Sequence, residues 1–351
     1  MHKTVNDYVE KIKISSRQEF RNLSVYPLIC PDAAVLDYLL LDEALEGGVI
    51  DIVEVTQGGS VPELKVVNKA DKMVLLLDGE ELVGAKQNRI VNTTILLAAN
   101  ATTVIPVSCV EQGRWAYRSK TFSSEERVMS PNLRAMKAEQ VNKSKKLRNC
   151  YASDQSAIWS ELSWKAHRMG AQSETSAMAD IYEKEMPSIR EYVQHFALED
   201  GQAGAAFLIN GRLVGIDCFG KQKTFARVFT KLLESYALDA IDWLEQKEKT
   251  VAEGNGVAQF LDSVRAARDE SSPSVALGTD VRLESEAAIG FALLCDDQML
   301  HLSAFAREKK AEQEAPIQEC RGLRAGDAAG SNIYKLSVVS QRFIKKMLKQ
   351  I

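Results

Sequence analysis

The chain has 351 residues, of which 45% are hydrophobic and 26% charged, as in globular proteins with a sizeable core. A formal net charge of −4 argues against a dominant nucleic-acid-binding surface, but it leaves room for a small basic pocket that holds a phosphorylated metabolite. The length suits one large or two ordinary domains.

The first residues and the cysteines together predict a cytoplasmic protein without a membrane span. No apolar segment of a signal peptide follows the N-terminus, and no apolar run approaches the ~20 residues of a transmembrane helix. The six cysteines form no CxxC pair, which favours reduced thiols over disulfides or a zinc site. No two of the four histidines share a metal-ligand spacing, so we expect no histidine-based metal site, and no particular cofactor is indicated.

The N-terminal part alternates short apolar runs with polar turns. Leu23–Leu28 and Ile50–Val55 are predicted strands, and Pro31–Leu45 is a predicted helix. A further predicted strand, Met73–Leu77, ends at Asp78-Gly79, a pair of residues typical of a turn.

Two groups of polar residues interrupt strand-like sequence between residues 73 and 118. The first group is Lys86, Gln87, Asn88 and Arg89, and the second is Cys109, Glu111, Gln112, Arg114 and Trp115. A predicted strand at Ile90–Leu97 and a turn near Asn100 separate them, and antiparallel pairing after that turn brings the two groups side by side. Pro106 predicts an edge or a strand end. A meander of strands with solvated turns explains the same pattern without any site.

The middle of the chain predicts helices. Ser130-Pro131 begins a polar helix that runs to about Asn149. A second helix carries Ile158, Leu162, Ala166 and Met169 on one face. A third extends from Ala177 to Phe196, with Pro187 as a kink or break.

Sheet-like sequence returns after Gly204. Asn210-Gly211 predicts the turn of a hairpin over residues 206–219, and Asp296-Asp297 that of a second over 289–305. The two aligned 14-residue units 206–219 and 292–305 raise the possibility of an internal duplication, with Lys86, Asp217 and His301 near corresponding strand ends; convergent hairpins are the alternative.

Three further segments complete the C-terminal part. Thr224–Lys247 is a predicted helix with a continuous apolar stripe, Arg265–Ser274 is a predicted exposed loop, and Val338–Ile351 is a predicted basic helix.

These elements predict an α+β fold with two mainly antiparallel sheet-bearing halves and a helical block between them. The predicted divisions are a sheet-rich part with the polar groups (1–125), the helical block (126–200) and a C-terminal α+β part (201–351).

The polar residues suit recognition and acid–base chemistry, although each has a structural explanation. Glu80 and Glu81 point to opposite faces if they lie in a strand, so one of them at most faces a given pocket. Arg114 beside Trp115 suits a phosphate and a stacked base or sugar, or a buried ion pair with Glu111. Asp217 in an apolar strand requires a partner. His301 is either a buried structural histidine or a catalytic one.

The segments DGEELVGAKQNR and IPVSCVEQGRW resemble a domain family named for its association with ADP-ribosylglycohydrolases and rhodanese-phosphatases. The later segments GAAFLINGRLVGIDCF and LLCDDQMLHLSAF are similar to the second half of that family. The resemblance implies a role in NAD-derived metabolism, on ADP-ribose or a phosphorylated relative. It also implies a set of site residues on this chain: Glu80, Glu81, Lys86, Gln87, Asn88, Arg89, Glu111, Arg114, Trp115, Asp217 and His301.

The function expected from the resemblance is an enzyme that processes an ADP-ribose-type phosphate ester. Catalytic roles then fall to Glu80, Glu111 and His301, with the other site residues holding the ligand. A non-catalytic nucleotide-binding or regulatory module and a structural interaction protein are the alternatives. The expected partner is a phosphorylated nucleotide or sugar, not a nucleic acid or a membrane, and the oligomeric state stays open.

Overall fold

Helices and mainly antiparallel sheets contribute about equally to the fold, which is α+β as the sequence predicts. A computed structural model of the chain describes residues 2–244 and 255–307, which belong to one compact unit. The helices in these ranges are α1 (Lys3–Val9), α2 (Leu41–Glu46), α3 (Pro131–Arg148), α4 (Gln155–Met169), α5 (Met178–Val193), α6 (Gln222–Asp242) and α7 (Asn255–Arg265).

The largest sheet combines strands from both ends of the described chain. Its strands are β1 (Lys13–Ile14), β2 (Gln18–Phe20), β3 (Leu23–Ile29), β13 (Gln202–Ile209), β14 (Arg212–Phe219), β15 (Arg268–Pro273), β16 (Thr279–Glu284), β17 (Ala288–Cys295) and β18 (Gln298–Ala306). Their order is β1-β3-β13-β14-β18-β17-β16-β15, with β2 also paired to β3. All these pairs are antiparallel. Successive side chains of each strand point to opposite faces of the sheet, and helices cover both faces.

A six-stranded antiparallel sheet closes on itself. Its strands are β5 (Ile50–Glu54), β6 (Glu63–Asn68), β8 (Glu81–Gly84), β9 (Arg89–Val91), β11 (Ala101–Cys109) and β12 (Phe122–Ser123). The order is β12-β8-β9-β11-β6-β5, and the terminal strands β12 and β5 contact each other. Every strand contributes side chains to one apolar core, which includes Ile52, Leu64, Leu82, Val91, Val107 and Phe122. We call this arrangement the small barrel.

A three-stranded sheet packs against the small barrel. It consists of β4 (Tyr38–Leu40), β7 (Met73–Leu76) and β10 (Ile95–Leu97), in the order β10-β7-β4. Val74, Leu76 and Ile95 enter the same apolar core as the barrel strands, whereas Leu75 and Leu96 face the core beneath the large sheet.

The two predicted hairpins are confirmed and share an irregularity. Asn210 and Gly211 have φ of 52° and 76°, and Asp296 and Asp297 have φ of 49° and 57°, the left-handed conformation that two-residue hairpin turns require. The register shifts between Phe207 and Leu208 in one hairpin and between Leu293 and Leu294 in the other, which are equivalent positions in the alignment of the two units. The matched bulges support the duplication hypothesis.

The apolar stripe of α6 is buried as predicted. Phe225, Val228, Leu232 and Tyr236 are at most 1% exposed, and α6 packs on β13 and α5. The helix ends at Asp242, so Leu244, which is 45% exposed, lies beyond it, and residues 245–247 lie outside the described range.

The predicted helix at Pro31–Leu45 is wrong. Residues 31–37 form neither helix nor strand, Tyr38–Leu40 is strand β4, and only Leu41–Glu46 is helical. Tertiary hydrogen bonds replace helical ones, because the amides of Ala33 and Ala34 both donate to the Gly220 carbonyl and β4 pairs in parallel with β7.

Two other segments also differ from the prediction. Arg268–Pro273 is strand β15 rather than a loop, and its polar composition suits its position at the sheet edge. Ile90–Leu97 is not one strand but β9 and β10 in different sheets, because Asn92 and Thr94 turn inward to hydrogen-bond Tyr151 and His301.

Pro106 and Pro187, at which the sequence predicts an edge or an interruption, each lie within a continuous element. Pro106 is inside β11, at the point where the strand changes its partner from β6 to β9. Pro187 lies inside α5, which continues to Val193. The predicted helix at Val338–Ile351 lies outside the described residues, and the three-part division of the chain stays a prediction.

Candidate site at the mouth of the small barrel

Three loops meet at one end of the small barrel. They connect β5 to β6 (residues 55–62), β8 to β9 (85–88) and β11 to β12 (110–121). Because the six strands are antiparallel neighbours, these three connections lie at the same end, which we call the mouth. Both predicted polar groups are located here. The prediction that they lie side by side is confirmed by the pairing of Arg89 with Cys109.

Asn88 connects the two polar groups. Its backbone amide donates to Glu111 Oε2 at 2.9 Å, and its side-chain oxygen accepts from Arg114 Nη2 at 3.1 Å. Its carbonyl accepts from the Val110 amide at 3.1 Å. The loops 85–88 and 110–121 therefore form one hydrogen-bonded wall of the mouth.

Arg114 is fully engaged within this wall. Its Nε and Nη2 donate to the two carboxylate oxygens of Glu111, at 2.8 and 2.6 Å. Its Nη1 donates to the carbonyls of Ala85 and Ala116, at 2.6 and 2.8 Å. Burial alone would raise the pKa of Glu111, but bonds from Arg114, the Asn88 amide and Thr175 hold it below its usual value.

Arg89 has a different environment. Its Nη1 donates to Gln87 Oε1 at 3.0 Å, but its Nε and Nη2 have no hydrogen-bond partner within the described residues. The side chain has no solvent-exposed area, and burial lowers its pKa. Nε and Nη2 form the edge of the guanidinium that binds carboxylates and phosphates with two parallel hydrogen bonds. Arg89 thus holds an unpaired anion-binding edge in a fully buried position.

The mouth is closed by contacts among its three loops. Lys86 Nζ donates to the Gly58 carbonyl at 2.6 Å, and the Tyr117 hydroxyl donates to the Gln57 carbonyl at 3.3 Å. Trp115 is 48% exposed, and its ring lies 5.1 Å from Lys86 Nζ and 5.7 Å from the Arg89 guanidinium carbon. Gly59 has φ of +78°, and a Cβ there would lie 3.2 Å from Trp115, so glycine permits this close approach.

The interior of the mouth contains two further polar side chains. Cys109 is buried beside Arg89 and contacts Gln87 Oε1 at 3.3 Å; burial raises its pKa, so the thiol is protonated at neutral pH. Glu54 ends β5 on the same face as Ile50 and Ile52 and is only 8% exposed. Both of its carboxylate oxygens have no hydrogen-bond partner among the described residues.

Glu80 and Glu81 point away from each other, as strand alternation predicts. Both oxygens of Glu80 are engaged, since Lys231 donates to Oε1 at 2.5 Å and the Leu77 amide donates to Oε2 at 2.7 Å. Glu81 pairs with Ile90 across the strands, whereas Arg89 pairs with Leu82, so Glu81 and Arg89 lie on opposite faces of the barrel wall.

Glu81 is an unusually basic carboxylate. Its Oε1 accepts from Asn88 at 3.3 Å, and Arg127 lies 3.8 Å from Oε2 without a hydrogen bond. Burial raises the pKa of Glu81 to about 7, although the Arg127 charge and the Asn88 amide oppose the shift.

Asp217 and His301 lie away from the mouth, in a buried cluster on the large sheet. Arg134 binds both oxygens of Asp217, at 3.0 and 2.8 Å, and His301 lies between Asp217 (3.3 Å) and the Thr94 hydroxyl (2.7 Å). Lys137 and Arg134 also bind Asp78, in the turn after β7. This cluster joins α3, the large sheet and the segment that precedes β8.

The charges of the cluster are mutually compensated. Burial alone would raise the pKa of Asp217, but Arg134 and His301 hold it well below its usual range. Burial lowers the pKa of His301 although Asp217 opposes it, and burial lowers that of Lys137 to about 8. The side-chain polar atoms of these residues are all hydrogen-bonded, which is the arrangement of a structural network.

Sequence analysis missed several residues that the structure places at these sites. Period-two alternation Ile50-x-Ile52-x-Glu54 could have identified Glu54 as inward-facing. Arg134 and Lys137 gave no such signal, because a polar helix is usually solvated.

Two observations concern metals and membranes. Among residues 2–244 and 255–307, no group of three His, Cys, Asp or Glu side chains is arranged to hold a metal ion. None of the helices in these ranges is both long enough and apolar enough to cross a bilayer.

Fold and site together define an α+β protein with a small barrel whose closed mouth buries an unpaired arginine edge. Residues 11–305 match the model of the ARG and Rhodanese-Phosphatase-superfamily-associated Protein domain. The match covers most of the chain, so the protein belongs to this family, as its motifs indicated. A comparison with curated proteins gave no match, and neither did one with solved structures.

Proposed function

We propose that the protein binds ADP-ribose or a related phosphorylated nucleotide at the barrel mouth and processes it as an enzyme of NAD-derived metabolism. The family name supports a link to ADP-ribose chemistry. The observation that carries the proposal is the vacant Nε–Nη2 edge of Arg89. An unpaired buried guanidinium is costly, and a phosphate group would supply the acceptors that this edge lacks.

The neighbouring residues have distinct parts in this proposal. Arg89 binds phosphate, and Gln87 orients the Arg89 guanidinium by accepting a hydrogen bond from Nη1. Trp115 is half-exposed, and its ring, 5.7 Å from the Arg89 guanidinium carbon, can stack on a base or sugar. Asn88, Glu111 and Arg114 hold the wall in position, since their polar groups are already bonded to one another.

Catalysis requires a group that can exchange a proton with the ligand. Glu80 and Glu111 have both carboxylate oxygens engaged, and His301 lies in the Arg134 cluster. This favours a second candidate function, a binding module that senses the same ligand without turning it over.

One experiment addresses both candidates. The full-length protein is incubated with NAD, ADP-ribose, ADP-ribose 1″-phosphate and ribose 5-phosphate, and native mass spectrometry and product analysis are used to measure binding and turnover. The enzyme proposal predicts a new product from at least one compound. Binding without product supports the sensing module, and the absence of binding to every compound contradicts both.

A further inference from the structure

Glu54 and Arg89 face the same space. Along β5, Ile50, Ile52 and Glu54 alternate with outward residues, and the two isoleucines lie in the barrel core. Along β9, Arg89 shares its face with Val91, another member of that core. Strand alternation therefore directs both charged side chains into the barrel, at the end where β5 stops and β9 begins.

The two groups do not bond each other, although their charges are opposite. Arg89 Nε and Nη2 and both oxygens of Glu54 have no hydrogen-bond partner within the described residues. Burial lowers the Arg89 pKa, and the neighbouring Cys109 and Glu54 groups oppose this shift, so Glu54 lies close to Arg89. A buried carboxylate and a buried guanidinium edge that remain separate leave four polar atoms without a hydrogen bond inside the barrel: two acceptor oxygens and two donor nitrogens.

These vacancies specify what a ligand must provide. The Arg89 edge provides donors and takes two acceptor oxygens, such as those of a phosphate. The two carboxylate oxygens of Glu54 accept hydrogen bonds, so a ligand that fills both positions must bring donors to them. Two adjacent hydroxyls of a sugar provide two donors at the spacing of the two carboxylate oxygens.

We infer that Glu54 is a ligand-binding residue that accepts hydrogen bonds from neighbouring hydroxyls of a sugar whose phosphate is bound by Arg89. The inference rests on the proposed function, and it narrows the ligand to phosphate esters of hydroxylated sugars. Glu54 thereby distinguishes ribose from deoxyribose at the mouth of the barrel.

The test uses ribose 5-phosphate and 2-deoxyribose 5-phosphate, with affinities measured by calorimetry on the full chain. The wild-type protein is expected to bind ribose 5-phosphate at least about tenfold more tightly, because losing a hydrogen bond to a charged group costs about this much. Glu54→Gln offers one acceptor oxygen instead of two, so it is expected to weaken ribose 5-phosphate more than 2-deoxyribose 5-phosphate and to reduce the difference to within about twofold. Arg89→Met is expected to weaken both ligands.

A second variant guards against a folding defect. Glu54→Asp keeps the charge but withdraws it from the ligand, so it should reduce the preference for ribose without changing the melting temperature. The inference is overturned if Glu54→Gln and wild type show the same preference, or if wild type binds neither sugar phosphate.

The proposed function is judged separately. If the same preparations bind ADP-ribose and lose this binding in Arg89→Met, the proposed function is supported even when the Glu54 inference fails. If wild type binds neither ADP-ribose nor either sugar phosphate, the proposed function and the Glu54 inference are both contradicted.

Discussion

Arg89 and Arg114 lie in the same barrel mouth and use the same guanidinium edge in opposite ways. Arg114 directs Nε and Nη2 to the two oxygens of Glu111, at 2.8 and 2.6 Å, whereas the equivalent edge of Arg89 meets no acceptor within the described residues. One arginine therefore stabilises the fold, and the other holds two buried donor atoms, Nε and Nη2, that are available for a ligand.

This contrast predicts unequal effects on stability. Arg114→Met leaves the buried Glu111 carboxylate unpaired and should lower the free energy of unfolding by about 3–5 kcal/mol. Arg89→Met removes a buried guanidinium whose Nε and Nη2 have no partner within the described residues and whose Nη1 bonds Gln87, so it should lower the free energy of unfolding much less than Arg114→Met does. Urea denaturation of both variants measures the difference. An Arg89→Met protein as destabilised as Arg114→Met would mean that Arg89 is structurally paired.

The pKa of Glu81 predicts a pH dependence of stability. Its folded-state pKa of about 7 lies above the ordinary value of 4.5, so between these values the folded chain binds more protons than the unfolded chain. The stabilising contribution of protonated Glu81 is complete below about pH 4.5 and is lost as the pH rises through 7. Glu81→Gln keeps a neutral side chain at every pH. The free energy of unfolding of the variant minus that of wild type should therefore be about 3 kcal/mol more favourable to the variant at pH 8 than at pH 4.5.

Chemical denaturation of wild type and Glu81→Gln across pH 4.5–8 tests this dependence. Glu174→Gln is a suitable control, because it makes the same substitution at an exposed carboxylate. Parallel stability curves for wild type and Glu81→Gln would show that Glu81 does not titrate in this window.

Closure of the mouth predicts a spectroscopic signal from Trp115. Because Arg89 has no exposed area, a ligand reaches it only if loops 55–62 and 110–121 separate, which changes the environment of Trp115. ADP-ribose should therefore change the tryptophan fluorescence of wild type, and Trp115→Phe should remove most of the change. A change that persists in Trp115→Phe would place the moving element elsewhere.

The core beneath the large sheet gives a prediction that is independent of the site. Leu232 on α6 is 1% exposed and packs in the main apolar core. Leu232→Ala should lower the free energy of unfolding by about 2–5 kcal/mol, because the cavity is enclosed on all sides. Thermal melting measures the loss, and an unchanged curve would contradict the burial of this stripe.

The sequence predicts features that depend on local chemistry or on simple antiparallel pairing. Asn210-Gly211 defines its hairpin because few residues accept two positive φ angles in succession. The neighbourhood of Arg89 and Glu111 follows from the turn near Asn100, although β11 continues beyond its pairing with β6 to reach β9.

Features that depend on tertiary partners could not be predicted. Pro31–Leu45 has a helix-compatible composition, but its non-helical part is held by Gly220 and β7, which are distant in sequence. The occupied edge of Arg114 and the vacant edge of Arg89 are likewise indistinguishable in the sequence, because both arginines lie in polar loops next to a strand.

The central claim is that Arg89 binds the phosphate of the ligand through its free edge. Calorimetric titration of ADP-ribose into wild type, Arg89→Met and Arg168→Met tests it most directly. Arg168 is a matched control. Its Nε and Nη2 donate to the two carboxylate oxygens of Asp242, at 2.9 and 2.7 Å, and it lies in helix α4, which contributes none of the three mouth loops. We expect Arg89→Met to weaken binding at least about 30-fold, since removing one member of a buried charged pair costs 2 kcal/mol or more, while Arg168→Met stays near wild type. Wild-type affinity in Arg89→Met would contradict the account.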